Sequence, residues 1–189
     1  MVAKSHRGVK VGLLFLTVSL MAFGPPPVVS PVADAASRND VEVLRTLLRS
    51  GEDVNAAQGD GMTALHWAAE YGDTEMAGML IYAGAKLEPL TRIGSYSPLH
   101  LASKSGSAEV VAMLLEAGAD AARTTTNSGA SSLHFAAASG SIEAITALAE
   151  YGADLNSLEQ EWGQTPLMFA AAYNNGSPFR IVPIHSRPK

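Results

Sequence analysis

One spacing governs what this chain can fold into. Thr63-Ala64-Leu65-His66, Ser97-Pro98-Leu99-His100, Ser131-Ser132-Leu133-His134 and Thr165-Pro166-Leu167-Met168 follow one another at a constant step of 34. A second ladder, Gly84-Ala85-Lys86, Gly118-Ala119-Asp120 and Gly152-Ala153-Asp154, keeps the same step, and Gly51-Glu52-Asp53 precedes its first member at a step one shorter. Gly72, Gly106 and Gly140 form a third. Three ladders in register mean a repeated supersecondary unit that cannot bury its apolar face alone and must stack on its neighbours.

Each ladder position has a physical role in a helix-turn-helix unit. Thr63, Ser97, Ser131 and Thr165 suit an N-cap, where a hydroxyl accepts from a helix amide that has no partner in its own helix. Pro98 and Pro166 follow at the first helical position, where a missing donor goes unnoticed. The helix continues through the small pairs Ala68-Ala69, Ala102-Ser103, Ala136-Ala137 and Ala170-Ala171, which allow close helix approach. It ends at Gly72, Gly106 or Gly140, suited to a left-handed residue. A second helix follows with apolar residues at helical spacing, such as Val110, Val111, Leu114 and Leu115, or Ile142, Ile145 and Leu148. Loops such as residues 56–62 and 124–130 then hold the glycine and polar residues of a tight projecting turn.

On these residues the chain resembles the ankyrin-repeat family, whose unit of about 33 residues is a β-turn plus two helices opened by Thr-Pro-Leu-His. The resemblance implies an all-α solenoid of stacked helix-turn-helix hairpins with β-turn fingers, here preceded by a signal segment. The array is expected over residues 36–173: a degenerate first unit (30–62), repeats 63–96, 97–130 and 131–164, and a half repeat 165–173, with an irregular tail over 174–189. The residue by which the step exceeds the family's is expected in the finger, where an insertion costs little. Ala64, Ser132 and Met168 depart from the family motif and weaken single turns only. Ser30-Pro31-Val32-Ala33 aligns with the motif of the worn first unit. In the last unit Asn174-Asn175-Gly176-Ser177-Pro178 interrupts the pattern, so Leu167, Met168 and Phe169 are expected to be poorly covered unless Phe179, Ile181 and Ile184 fold back. Such an open end would allow self-association, and a truncated remnant of a longer array is one reading of it.

Residues 1–35 read as a targeting segment. Lys4, Arg7 and Lys10 precede the apolar run Val11 to Phe23, too short to span a bilayer comfortably, and Pro25-Pro26-Pro27 follows. The best small-residue cleavage site is Ala33-Asp34-Ala35, before Ala36, although a cut there invades the first helix of the array. Export to the periplasm or outside the cell is expected, with an uncleaved membrane anchor as the alternative.

This segment carries three bases and one acid, and residues 174–189 carry three bases and no acid. The total of −5 therefore leaves −10 on residues 36–173. A body this acidic repels phosphate backbones, which argues against nucleic acid and for a basic or neutral protein surface as partner. There is no cysteine, which excludes disulfides, thiolate metal sites and cysteine nucleophiles.

Two constellations invite a chemical reading. His66, His100 and His134 recur once per unit, but stacked units lie about 8–10 Å apart, too far for shared metal coordination near ~2 Å. The resemblance implies a structural role, hydrogen bonding near the turn. Glu42, Glu75, Glu109 and Glu143 recur in the first turn of each second helix, where a negative charge suits the helix dipole. Trp67, Leu101, Phe135 and Phe169 are expected in the core between units, whereas Tyr71, Tyr96 and Trp162 serve either as exposed anchors or as shields of the fingers. No phosphate-cradling loop or Gly-x-Ser-x-Gly elbow occurs. No enzyme, cofactor, metal or small-molecule substrate is expected.

The function implied is binding of a folded protein through the concave face and the fingers. Carried onto this sequence, the family's recognition positions are Asp60, Met62, Glu70 and Tyr71; Ile93, Tyr96, Lys104 and Ser105; Asn127, Ala130 and Ser139; and Glu161, Trp162 and Gln164. An exported inhibitor, immunity-like or effector protein that occludes an enzyme would use the same residues.

Overall fold

The structure, a computed structural model, describes residues 30–174. The targeting run and the residues proposed to fold back at the other end lie outside it. Among the described residues are nine α-helices, α1 (Pro31–Ser37), α2 (Val41–Arg49), α3 (Ala64–Tyr71), α4 (Thr74–Tyr82), α5 (Pro98–Ser105), α6 (Ala108–Glu116), α7 (Ser132–Ser139), α8 (Ile142–Glu150) and α9 (Pro166–Asn174). Consecutive helices pair as antiparallel hairpins. The odd-numbered helices form an inner row, α1 on α3, α3 on α5, α5 on α7 and α7 on α9, while α4, α6 and α8 pack as an outer row. No described helix is long and apolar enough to cross a membrane.

The inner helices pack closely because they present almost no side chain to one another. Ala68, Ala69, Ala102, Ser103, Ala136 and Ala137 are all buried, and such residues let helix backbones approach. Larger side chains fill the space between rows: Leu44, Leu65, Met76, Leu80, Leu99, Leu114, Leu133 and Leu148 are buried in one continuous core. Gly72, Gly106 and Gly140 take φ of 65°, 74° and 77° and turn the chain between the helices of a hairpin. Asp73 then caps α4 by accepting the Met76 amide at 2.9 Å.

The histidine ladder ties helix starts to fingers. In α3 the Thr63 amide and hydroxyl meet His66 Nδ1 at 3.1 and 2.9 Å, while Nε2 donates to the Tyr96 carbonyl of the next finger at 3.0 Å. His100 repeats this with Ser97 at 3.1 and 2.8 Å and the Arg123 carbonyl at 3.1 Å. His134 does so with Ser131 at 3.2 and 2.9 Å and the Gln164 carbonyl at 3.0 Å. An amide donor at Nδ1 and a carbonyl acceptor at Nε2 allow one form only, the neutral imidazole protonated at Nε2. Each ring closes a capping box with its own helix start and pins the following finger to it.

The fingers explain the lengthened step. Glycine ends the second helix of each described hairpin, and the segments that follow Gly84, Gly118 and Gly152 are one residue longer than the one after Gly51. The hydrogen bond closing the tip changes accordingly. Gln58 N–H reaches the Met62 carbonyl, four residues on, whereas Thr91, Thr125 and Glu159 reach Tyr96, Ala130 and Gln164, five on. The added residue is thus absorbed in the finger, as expected.

As read from the sequence, a cut after Ala35 would fall within the array, and one expectation changes. The boundary between residues 35 and 36 falls inside α1, where Val32, Ala33, Ala35 and Ala36 are fully buried against the rest of the stack. Trp67, Phe135 and Phe169 are only half-buried: they stand at the edge of the inner row, and only Leu101 of that set is buried. At the last unit Leu167 and Met168 are exposed, while Phe169 packs on His134 with ring centres 5.0 Å apart.

Three outcomes follow from this packing. Burial lowers the pKa of all three histidines, that of His100 to about 4, from 6.5 in the unfolded chain. The unfolded chain therefore takes up protons first, and stability present above pH 6.5 is lost as pH falls toward 4, with a ceiling of about 1.4 kcal/mol per pH unit for each histidine. Denaturant titrations at pH 7 and pH 5 check the sign, and His100→Asn should show a shallower slope than the parent; identical slopes would refute it. A chain starting at Ala36 should be less stable than one starting at Ser30 by about 2–5 kcal/mol, because it loses buried Val32, Ala33 and Ala35. Finally, the Ser103 hydroxyl is fully buried without a partner, so Ser103→Ala should raise stability by about 1 kcal/mol in the same assay.

Candidate interaction surface

The inner helices and the fingers share one face, which carries a hollow of about 330 Å³ where α3 and α5 meet the first two fingers. Met62, Trp67, Tyr96 and Leu101 give it apolar walls, and Asp60, Glu70, Thr91 and Ile93 complete the lining. Five residues expected from sequence converge here: Asp60, Met62, Glu70, Ile93 and Tyr96.

Local bonding fixes these walls. The Trp67 indole N–H donates to Gln58 Oε1 at 2.8 Å, and Gln58 Nε2 donates in turn to Asp34 Oδ1 at 2.7 Å. Trp67 also stacks on Tyr71 with ring centres 5.7 Å apart, and the Tyr71 hydroxyl donates to the Ser37 carbonyl at 2.8 Å. Tyr96 meets Phe135 edge-on at 5.7 Å and His100 at 6.4 Å. It is a half-buried wall residue, less exposed than Tyr71 at 47% or Trp162 at 51%.

The finger tips are braced from inside. Thr91 Oγ1 accepts the Tyr96 amide at 3.0 Å and donates to the Ile93 carbonyl at 2.8 Å; Thr125 Oγ1 accepts the Ala130 amide at 3.1 Å. In the last finger the buried Glu159 carboxylate accepts three amides, of Glu161, Trp162 and Gln164, at 2.7, 2.7 and 2.9 Å. Neighbouring fingers are also tied together. Arg92 N–H bonds the Asp60 carbonyl at 2.8 Å, Ser95 and Thr126 hydroxyls meet at 2.6 Å, and Gln160 N–H bonds the Ser128 carbonyl at 2.6 Å. Gly61 sits close against the backbone of the next finger. At φ 87°, an added Cβ would stand 3.0 Å from Arg92 N and Leu90 O.

The remaining expected positions divide by exposure. Lys104, Asn127 and Glu161 are exposed on the same row. Ser105 and Ser139 are exposed too, but their hydroxyls already donate to backbone carbonyls, Ser105 to Ala69 and Ala102 at 3.0 Å each and Ser139 to Ala136 at 2.9 Å. Gln164 is half-buried, its carbonyl taken by His134. Ala130 is a correction: at 1% exposure it is sealed beneath its finger by the bonds to Thr125 and meets no partner. Glu161, Trp162 and Gln164 belong to the last finger and do not line the hollow.

Sequence reading missed the braces and the Asp34–Gln58–Trp67 relay. Thr91, Thr125 and Glu159 do recur at the step of the other ladders, but the change from threonine to glutamate hides a shared task, which is to accept amides at the tip. Among the described residues, no three His, Cys, Asp or Glu side chains are grouped to hold a metal ion.

Comparison with known proteins accords with this architecture. Two family profiles match, ankyrin repeats (3 copies) over residues 32–125 and ankyrin repeats (many copies) over residues 133–182. Among curated relatives, the potassium channel AKT1 of Oryza sativa subsp. indica is 41% identical over 54 residues, 29% of this chain and 6% of the channel. The ankyrin repeat and LEM domain-containing protein 1 homolog of Caenorhabditis elegans is 36% identical over 63 residues, 33% of this chain and 9% of that protein. Protein phosphatase 1 regulatory subunit 12A of Mus musculus is 37% identical over 60 residues, 32% of this chain and 6% of the subunit. The chain spans less than a tenth of each of these relatives, and the likeness is confined to the repeats. With its capped hairpins, its histidine ties and its fingers in register, the chain belongs to the ankyrin-repeat family, a family of protein-interaction modules.

Proposed function

We propose that this chain binds a folded protein partner through the inner face and the finger tips, with Tyr71, Ile93 and Trp162 as anchors. The observation that carries this reading is the combination of exposed apolar side chains with immobilised backbone. Ile93 is 83% and Trp162 51% exposed, yet both sit on tips closed by buried brace residues. A large apolar side chain held out in water costs solvation, and a monomer gains nothing from it. A partner gains much, because the loop has already lost the conformational entropy that binding would otherwise take away. The net charge of −10 over residues 36–173 favours a basic or neutral partner surface.

The relatives are compatible with such a role, since one is named as a regulatory subunit of protein phosphatase 1. Nothing in the face requires chemistry: its imidazoles are consumed by capping and its hollow is mostly apolar.

The test is capture of binding proteins from the source organism by the immobilised chain and by a Tyr71→Ala/Ile93→Ser/Trp162→Ala variant, with folding of both verified by circular dichroism. Removing each anchor should weaken the bound partner by about 2 kcal/mol, roughly 30-fold in affinity. Equal recovery of every captured protein by both chains would overturn the reading.

A further inference from the structure

Resting on that reading, we infer that the hollow between the first two fingers receives an arginine side chain of the partner. Its walls and rim make an unusual pair. Met62, Trp67 and Tyr96 supply apolar and aromatic surface, while two acidic residues, Asp60 and Glu70, stand in the lining of the same space. Neither carboxylate takes part in an ion pair among the described residues, whose three pairs are Arg45 with Glu42, Arg45 with Glu75, and Arg123 with Glu88. The Asp60 carboxylate accepts the Met62 amide at 2.9 Å. Arg92, whose amide bonds the Asp60 carbonyl, is exposed and is not among the residues of the lining.

Occupancy by a neutral side chain would strip water from two carboxylates and return nothing to them. A guanidinium reverses that balance. Its plane stacks on aromatic faces, its stem lies along apolar surface and its fork of donors satisfies carboxylate oxygens in pairs. A volume near 330 Å³ has room for one long side chain. The walls do not need to reorganise, because Trp67 is held by Gln58 and Tyr71, and Tyr96 by Phe135. The acidic body of the chain steers a basic segment toward this face before contact.

The experiment uses the isotopically labelled full chain and three capped pentapeptides identical except at the centre, which carries arginine, citrulline or norleucine. Citrulline keeps the shape and removes the charge; norleucine keeps only the apolar stem. The arginine peptide should shift the Trp67 indole resonance and the amides of Met62, Glu70 and Ile93, binding about tenfold more tightly than the citrulline peptide. Asp60→Asn and Glu70→Gln, which preserve shape and the bond to Met62, should each weaken the arginine peptide several-fold, and high salt should do the same. Equal binding of all three peptides, or indifference to both substitutions, would overturn the arginine assignment while leaving the inner face as a docking surface. No shift at these residues with any peptide would also overturn it, whereas the role of the anchors is decided separately by the capture experiment.

Discussion

In each of the three complete repeats of this protein, the first helix is tied to its finger through one imidazole. The ring of His66, His100 or His134 receives the cap of its own helix at Nδ1 and gives its Nε2 proton to a carbonyl in the following finger. The start of a repeat's first helix and the finger that closes the same repeat are thereby fixed to the two ends of one rigid ring. Apolar packing is non-directional and leaves a finger free to shift against its helices, whereas this pair of bonds fixes where the finger stands relative to the helix start. The buried rings have no solvent to replace a lost partner, so the alignment of the whole row depends on their staying neutral.

The braces of the fingers act on top of that alignment. Thr91, Thr125 and Glu159 turn a loop of polar residues into a fixed tip, and bonds from tip to tip extend the order along the row. What results is a surface in which backbone is firm and side chains vary. Exposed Ile93 and Trp162 on such supports differ in kind from exposed Tyr82 on the outer row, which stands at the end of α4 with no comparable frame.

Much of the fold was legible because the residues that build it are constrained by backbone geometry. A cap must be a small hydroxyl, a left-handed turn favours glycine, and closely packed helices need alanine; these demands leave the same letters at the same place in every unit. The inner face was harder to read, because its demands are on position and leave the side chain free. Asp60, Met62, Glu70, Ile93 and Tyr96 were reached through the family resemblance, while Gln58 and Asp34, which hold Trp67 in place, have no counterpart in the other units. Ala130 misled for the same reason: its ladder position matches Met62, Tyr96 and Gln164, yet its methyl is too short to emerge from beneath the finger. Thr125 showed how different letters can share one function, as its hydroxyl does the work of the Glu159 carboxylate.

The alanines of the inner row carry a consequence beyond stability. Where two rows of a stack are filled with side chains of unequal size, the stack bends toward the row with the smaller ones. The buried methyls of Ala68, Ala102 and Ala136 therefore set the curvature of the face on which the fingers stand. Adding a single carbon to one of them would spread two neighbouring tips without altering any side chain exposed on the fingers. Drift at these silent positions gives a lineage of such chains a way to refit the same anchors to surfaces of different radius.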